Sequence, residues 1–165
     1  MEASGDFGRG LIGSIQTGLA ISNSSNTAAT VTLELNRLDG SPTGLKGTVQ
    51  VPANGQISRF LHQIPGVDSL PLPFQGVLRI SSSAPISVIG LRSRYNERKD
   101  FLITTTPPIN EATVPSNAEL FFPHFADSGG YTTKFILFSG APGQRSSGVL
   151  RFVSQSGITL NLTLH

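Results

Sequence analysis

The chain has 165 residues, 13% charged and 38% hydrophobic, with 18 Gly, 11 Pro, no Cys and no Trp. That length suits one domain or one domain plus a fragment. The lack of Cys excludes a disulfide framework, a thiolate metal site and a cysteine nucleophile. Twelve cations against ten anions leave a net charge of +2, too small an excess to indicate nucleic-acid binding. No apolar run approaches the 18 residues of a membrane span.

Alternation with period two runs through most of the chain, and helical spacing is nearly absent. Residues 1–15 read as an N-terminal arm. As an extended strand it places Phe7, Leu11 and Ile15 on one side and Gly8 and Gly10 on the other. Small residues on one side suit a strand that slides between packed neighbours, so the arm is a candidate for exchange between subunits. Its first residues carry neither a basic n-region nor an apolar h-region.

Strands follow at 18–22 and 30–35, the second with Val31, Leu33 and Leu35 inward and Thr30, Thr32 and Glu34 outward. Residues 23–27 and 38–42 carry turn chemistry, a third strand spans 46–51, and Asn54-Gly55 marks a hairpin turn. Ile57, Phe60, Leu61 and Ile64 have i, i+3, i+4, i+7 spacing, which predicts one short helical turn closed by Pro65-Gly66. Further strands are expected at 76–81, 86–92 and 101–105, the last stopped by Pro107-Pro108. After a linker at 109–118, apolar runs at 120–122, 133–138, 149–153 and 159–164 predict four more. The expected core comprises Val31, Leu33, Leu78, Ile80, Val88, Ile136, Leu150 and Phe152.

The pattern repeats internally. Residues 16–23 align with 132–139 at an offset of 116, and 30–35 with 148–153 at an offset of 118. The chain therefore divides into the arm (1–15), a β-sandwich repeat unit (16–108), a linker (109–118) and a truncated second repeat (119–165). A short repeat cannot cover its own apolar face, so the last segment is expected to dock on the first unit or on a neighbouring subunit.

Residues 17–23 with 28–32, 76–80 with Pro85-Ile86, and 122–133 resemble repeat modules found near the C-termini of large bacterial secreted and cell-surface proteins. The resemblance implies β architecture and an exported, extracellular or surface setting. It brings no catalytic residue and no cofactor.

Candidate sites are few. His62, His124 and His165 are the only histidines, and none has the spacing of a metal ligand set. Residues 127–130 read either as an anion-binding nest or calcium-friendly loop, or as a Gly-rich turn. The most charged stretch, 92–100, offers Arg92, Arg94, Tyr95 and Arg98 as a recognition surface for an acidic polysaccharide or a protein. The bland alternative is a solvated hairpin.

These readings predict an all-β chain, an antiparallel immunoglobulin-like β-sandwich with one short helical turn. The expected function is non-enzymatic: a structural or assembly module, self-associating as a homo-oligomer, filament or surface layer by strand exchange. An adhesive or polysaccharide-binding module is the alternative.

Overall fold

A stretch such as Thr-Val-Thr-Leu-Glu-Leu cannot bury its apolar residues on a helix face, but as a strand it turns all of them to one side. In the computed structural model this is β3 (Ala29–Arg37), where Ala29, Val31, Leu33 and Leu35 are buried. The structure describes residues 1–111, 119–126, 129–130, 132–136 and 149–160, and it divides into two units, Met1–Ile109 and Asn110–His165.

The first unit is an antiparallel β-sandwich. One sheet has the order β1-β6-β3-β4, from β1 (Glu2–Ala3), β6 (Phe74–Ser82), β3 and β4 (Pro42–Val51). The other has the order β5-β2-β7-β8, from β5 (Gly55–Phe60), β2 (Ile15–Asn23), β7 (Ile86–Tyr95) and β8 (Phe101–Thr106). The core joins the inward rows of β3 with Val51 of β4, and Leu19 and Ile21 of β2. Leu61, Ile64 and Val67, from the connection after β5, complete it. Leu78, Ile80 and Val88 are only half-buried, packed against that cluster.

Asn23 ties two turns into the end of the sandwich. It is 2% exposed. Its Nδ2 lies within hydrogen-bonding distance of the carbonyls of Thr27 (2.8 Å), Val51 (3.3 Å) and Pro52 (3.1 Å). Its Oδ1 accepts from the N–H (3.0 Å) and Oγ (2.6 Å) of Ser25.

The expected helical turn at 57–64 is corrected. β5 runs to Phe60, and only Leu61–Gln63 is helical, as one 3-10 turn. The four apolar residues share no face. Ile57 lies opposite Ile21 and packs on the core, and Phe60 lies over Gly18 on the other face of the sheet. Leu61 and Ile64 then turn back inward.

In the second unit, β9 (Phe152–Val153) pairs antiparallel with β10 (Thr159–Leu160). The described parts of 120–122, 133–138 and 149–151 are not strands. Residues 137–138 and 161–164 of the expected strands lie outside the described residues. Ile136 (50% exposed) and Leu150 (43%) are not buried as expected, and Phe152 is half-buried against the rings of Phe125 (4.9 Å between centroids) and Phe135 (6.4 Å).

One turn recurs. Between β3 and β4 the Arg37 N–H donates to Ser41 O (2.8 Å) and the Gly40 N–H to Arg37 O (3.0 Å), with Gly40 at φ +85°. The same pattern stands 117 residues later, between β9 and β10. There Ser154 N–H donates to Ile158 O (2.8 Å) and Gly157 N–H to Ser154 O (2.9 Å), with Gly157 at φ +80°. The hairpin of the first unit is thus repeated in the second, within the range of offsets the sequence alignment spans.

Candidate functional site

The charged stretch 92–100 is the end of one strand and the connection that follows it. Arg92 and Arg94 lie on β7, and the connection to β8 is a third copy of the recurring turn. Asn96 N–H donates to Asp100 O (3.1 Å) and Lys99 N–H to Asn96 O (3.0 Å). The buried Asn96 side chain braces it: Oδ1 accepts from the N–H groups of Arg98 (2.9 Å) and Asp100 (2.8 Å). Lys99 occupies the left-handed position at φ +64°.

Alternation places Arg92 and Arg94 on one face of β7 and Tyr95 on the other, so the four candidate residues do not converge. Each guanidinium meets a carboxylate: Arg92 Nη2 is 3.0 Å from Glu2, Arg94 pairs with Glu97, and Arg98 Nε is 3.1 Å from Asp100. A hydrogen bond from its own main-chain N–H, and then Arg94, hold the Glu97 carboxyl below its ordinary pKa. Tyr95 is half-buried against Phe7 (5.2 Å between ring centroids) and Phe101 (5.6 Å). The three arginines are thus each paired with a carboxylate, and the Tyr95 ring is covered in part by its aromatic neighbours.

The N-terminal arm is not an extended strand. Phe7–Arg9 forms a 3-10 turn, capped by Asp6, whose Oδ1 accepts from the Arg9 N–H (3.1 Å), and closed by Gly10 at φ +65°. Ser4 and Ile15 exchange two main-chain hydrogen bonds of 2.9 Å, and Glu2–Ala3 pairs with β6. Phe7, Leu11 and Ile15 therefore share no side: Phe7 packs on Phe60 and Tyr95, Leu11 is 53% exposed, and Ile15 opens β2. Glycine permits the backbone reversal, and the segment uses its hydrogen bonds within its own unit.

By folding back, the arm builds an open cleft of about 560 Å³. Phe7, Ile15, Leu72 and Pro73 supply its apolar lining, and Gln16, His62 and Asp6 its polar side chains. Gln16 lies on the outward face of β2 beside Gly18, yet is only 9% exposed. Its Nε2 donates to His62 Nδ1 at 2.6 Å. His62 also stacks on Phe60 (5.8 Å, 10° between planes). The sequence places His62 near Asp68, but Asp68 instead accepts from the Gly66 N–H (3.1 Å). The link from His62 to Gln16 spans 46 residues and leaves no local sequence pattern.

The second open feature is β8. Of the four sheet edges in the first unit, β1 has two residues, β4 carries Pro42 and Lys46, and β5 carries Arg59. β8, Phe-Leu-Ile-Thr-Thr-Thr, has no charge, Pro or Gly, and every residue is exposed, including Phe101, Leu102 and Ile103 at 46–50%.

Of the remaining candidates, Asp127, Ser128 and His165 lie outside the described residues. His124 is exposed, and no group of three His, Asp or Glu side chains gathers among the described residues. No helix there is long and apolar enough to cross a membrane. No protein-family model, curated protein or solved structure matches the chain.

Proposed function

We propose that the chain is a non-enzymatic assembly module that joins to a second copy of itself through the free edge of β8. The observation that supports this is the contrast among edges: three are short, charged or interrupted, and one is an uncharged, exposed β strand. Natural sheets suppress such edges unless they are used.

The sequence of β8 suits self-pairing. The Asn96–Asp100 main-chain bond fixes which residues of β8 turn their N–H and C=O groups toward β7. By alternation, those of Phe101, Ile103 and Thr105 face outward. Two copies related by a two-fold axis through Ile103 would form about six main-chain hydrogen bonds. Ile103 of each copy would meet the other, and Phe101 would meet Thr105. No charge opposes the contact. This route replaces exchange of the N-terminal arm, whose hydrogen bonds are made within its own unit. The exported, cell-surface setting belongs to the same proposal and rests on the sequence resemblance.

Sedimentation equilibrium tests the reading. A concentration-dependent dimer is expected, with Ile103→Lys weakening it at least about tenfold, roughly 1.4 kcal/mol. A chain that stays monomeric up to about 1 mM, or a dimer indifferent to Ile103→Lys, overturns it.

A further inference from the structure

We infer that the cleft between the N-terminal arm and the 61–73 connection binds a neutral sugar. The inference is independent of edge pairing through β8.

The argument begins with hydrogen-bond capacity. A primary amide has two donors and an acceptor, and a neutral imidazole has one of each. Gln16 Nε2 lies 2.6 Å from His62 Nδ1, and the imidazole tautomer that accepts this bond carries its proton on Nε2. Among the described residues Gln16 Oε1 accepts no hydrogen bond, and it reaches solvent where the side chain lines the cleft. A ligand hydroxyl that enters the cleft can therefore reach this acceptor without displacing a hydrogen bond of the protein. Two constraints, the Gln16 bond and the Phe60 stack, fix the His62 ring, so its free N–H is a pre-set donor. The cleft thus offers an acceptor and a donor on adjacent side chains. Neighbouring hydroxyls on a sugar ring match that pair, one donating to Gln16 Oε1 and the other accepting from His62 Nε2–H.

The walls and the charge narrow the class further. Phe7, Ile15, Leu72 and Pro73 supply apolar surface suited to the C–H face of a pyranose. Asp6 is the one carboxylate on the lining, and it is already engaged by Arg9, Nε to Oδ2 at 3.3 Å and N–H to Oδ1 at 3.1 Å. No uncompensated charge therefore calls for a charged ligand. The volume lies within the usual range of small-ligand sites.

Saturation-transfer NMR on the full chain provides the test. The probes are methyl glycosides of glucose, galactose, mannose and N-acetylglucosamine, set against glucuronate and a blocked dipeptide. At least one neutral glycoside is expected to bind at millimolar strength. His62→Phe keeps the stack on Phe60 and removes the donor, so it should weaken binding about three- to tenfold. Gln16→Met should do the same or more. Leu11→Ser, on exposed chain outside the cleft lining, should leave it unchanged. Because His62 is exposed, its substitution tests the proposal even if Gln16→Met fails to fold. No binding by any neutral glycoside overturns the inference. So does affinity unchanged in His62→Phe, or tighter binding of glucuronate or the dipeptide than of every neutral glycoside.

Discussion

Replacing Asn23 by Ala should be among the costliest polar changes in the first unit. The side chain is 2% exposed and bridges the β2–β3 and β4–β5 turns. Removing it takes the donor from the carbonyls of Thr27, Val51 and Pro52, and the acceptor from the Ser25 N–H. Each hydrogen bond contributes about 1 kcal/mol net, and each buried group left unpaired costs about 1–3 kcal/mol. With Val51 O well inside and the other groups partly reached by water, the loss should be about 3–4 kcal/mol. At a urea slope of about 1.5–2 kcal/mol per M, the unfolding midpoint by circular dichroism should fall by about 2 M. Asn23→Asp sharpens the test. It keeps the acceptor but sets a carboxylate against carbonyls, so it should cost at least as much as Ala. A loss below about 1 kcal/mol for Asn23→Ala, or a milder effect for Asp than for Ala, would refute the donor role.

Three further outcomes follow from the same geometry. Leu33→Ala, at a fully buried position held by strands on both sides, should cost about 2–5 kcal/mol in denaturant titration. A cost under about 1 kcal/mol would put Leu33 on the wrong face of its sheet. Lys99→Gly, at φ +64°, should stabilise by about 0.5–1 kcal/mol and raise the calorimetric Tm, since glycine fills the equivalent turn position at Gly40 and Gly157. In acid, Glu34, Asp39 and Glu97 should each weaken the fold. Their carboxyls are lowered chiefly by Lys46, by Ser41, and by Glu97's own main-chain N–H. A depressed folded-state pKa stabilises above the ordinary carboxylate value, and that contribution disappears as pH falls through the lowered one. The urea midpoint should therefore drop below about pH 4, with a weaker dependence at high salt.

What the sequence reveals depends on how local the cause is. The strand β3 is legible because Val31, Leu33 and Leu35 sit two apart, and the backbone alone places them on one side. The turns are legible because Gly40 and Gly157 occupy positive-φ positions. The run from Ile57 to Ile64 misleads because a strand passes directly into a 3-10 turn, and the junction mimics helical spacing. The charged stretch misleads differently: composition reveals four cations but not that Glu2, 90 residues from Arg92, lies beside it. Gln16 carries no signal at all and Phe7 reads only as part of an extended arm, since their cleft exists only once the arm has folded over β2.

The pairing of β2 with β7 also sets a timetable. β2 ends at Asn23, and its central-sheet neighbour begins at Ile86. At roughly 5–20 residues per second of synthesis, β7 emerges about 3–13 s after β2 is complete. β5 can cover one side of β2 earlier, but the other side must wait. During that interval a nascent β2 carries Leu19 and Ile21 beside an unpaired row of main-chain donors and acceptors. On the ribosome, it is β2 that is exposed to mispairing with neighbouring nascent chains, and a chaperone holding residues 15–23 would act at the step where this sandwich is most vulnerable.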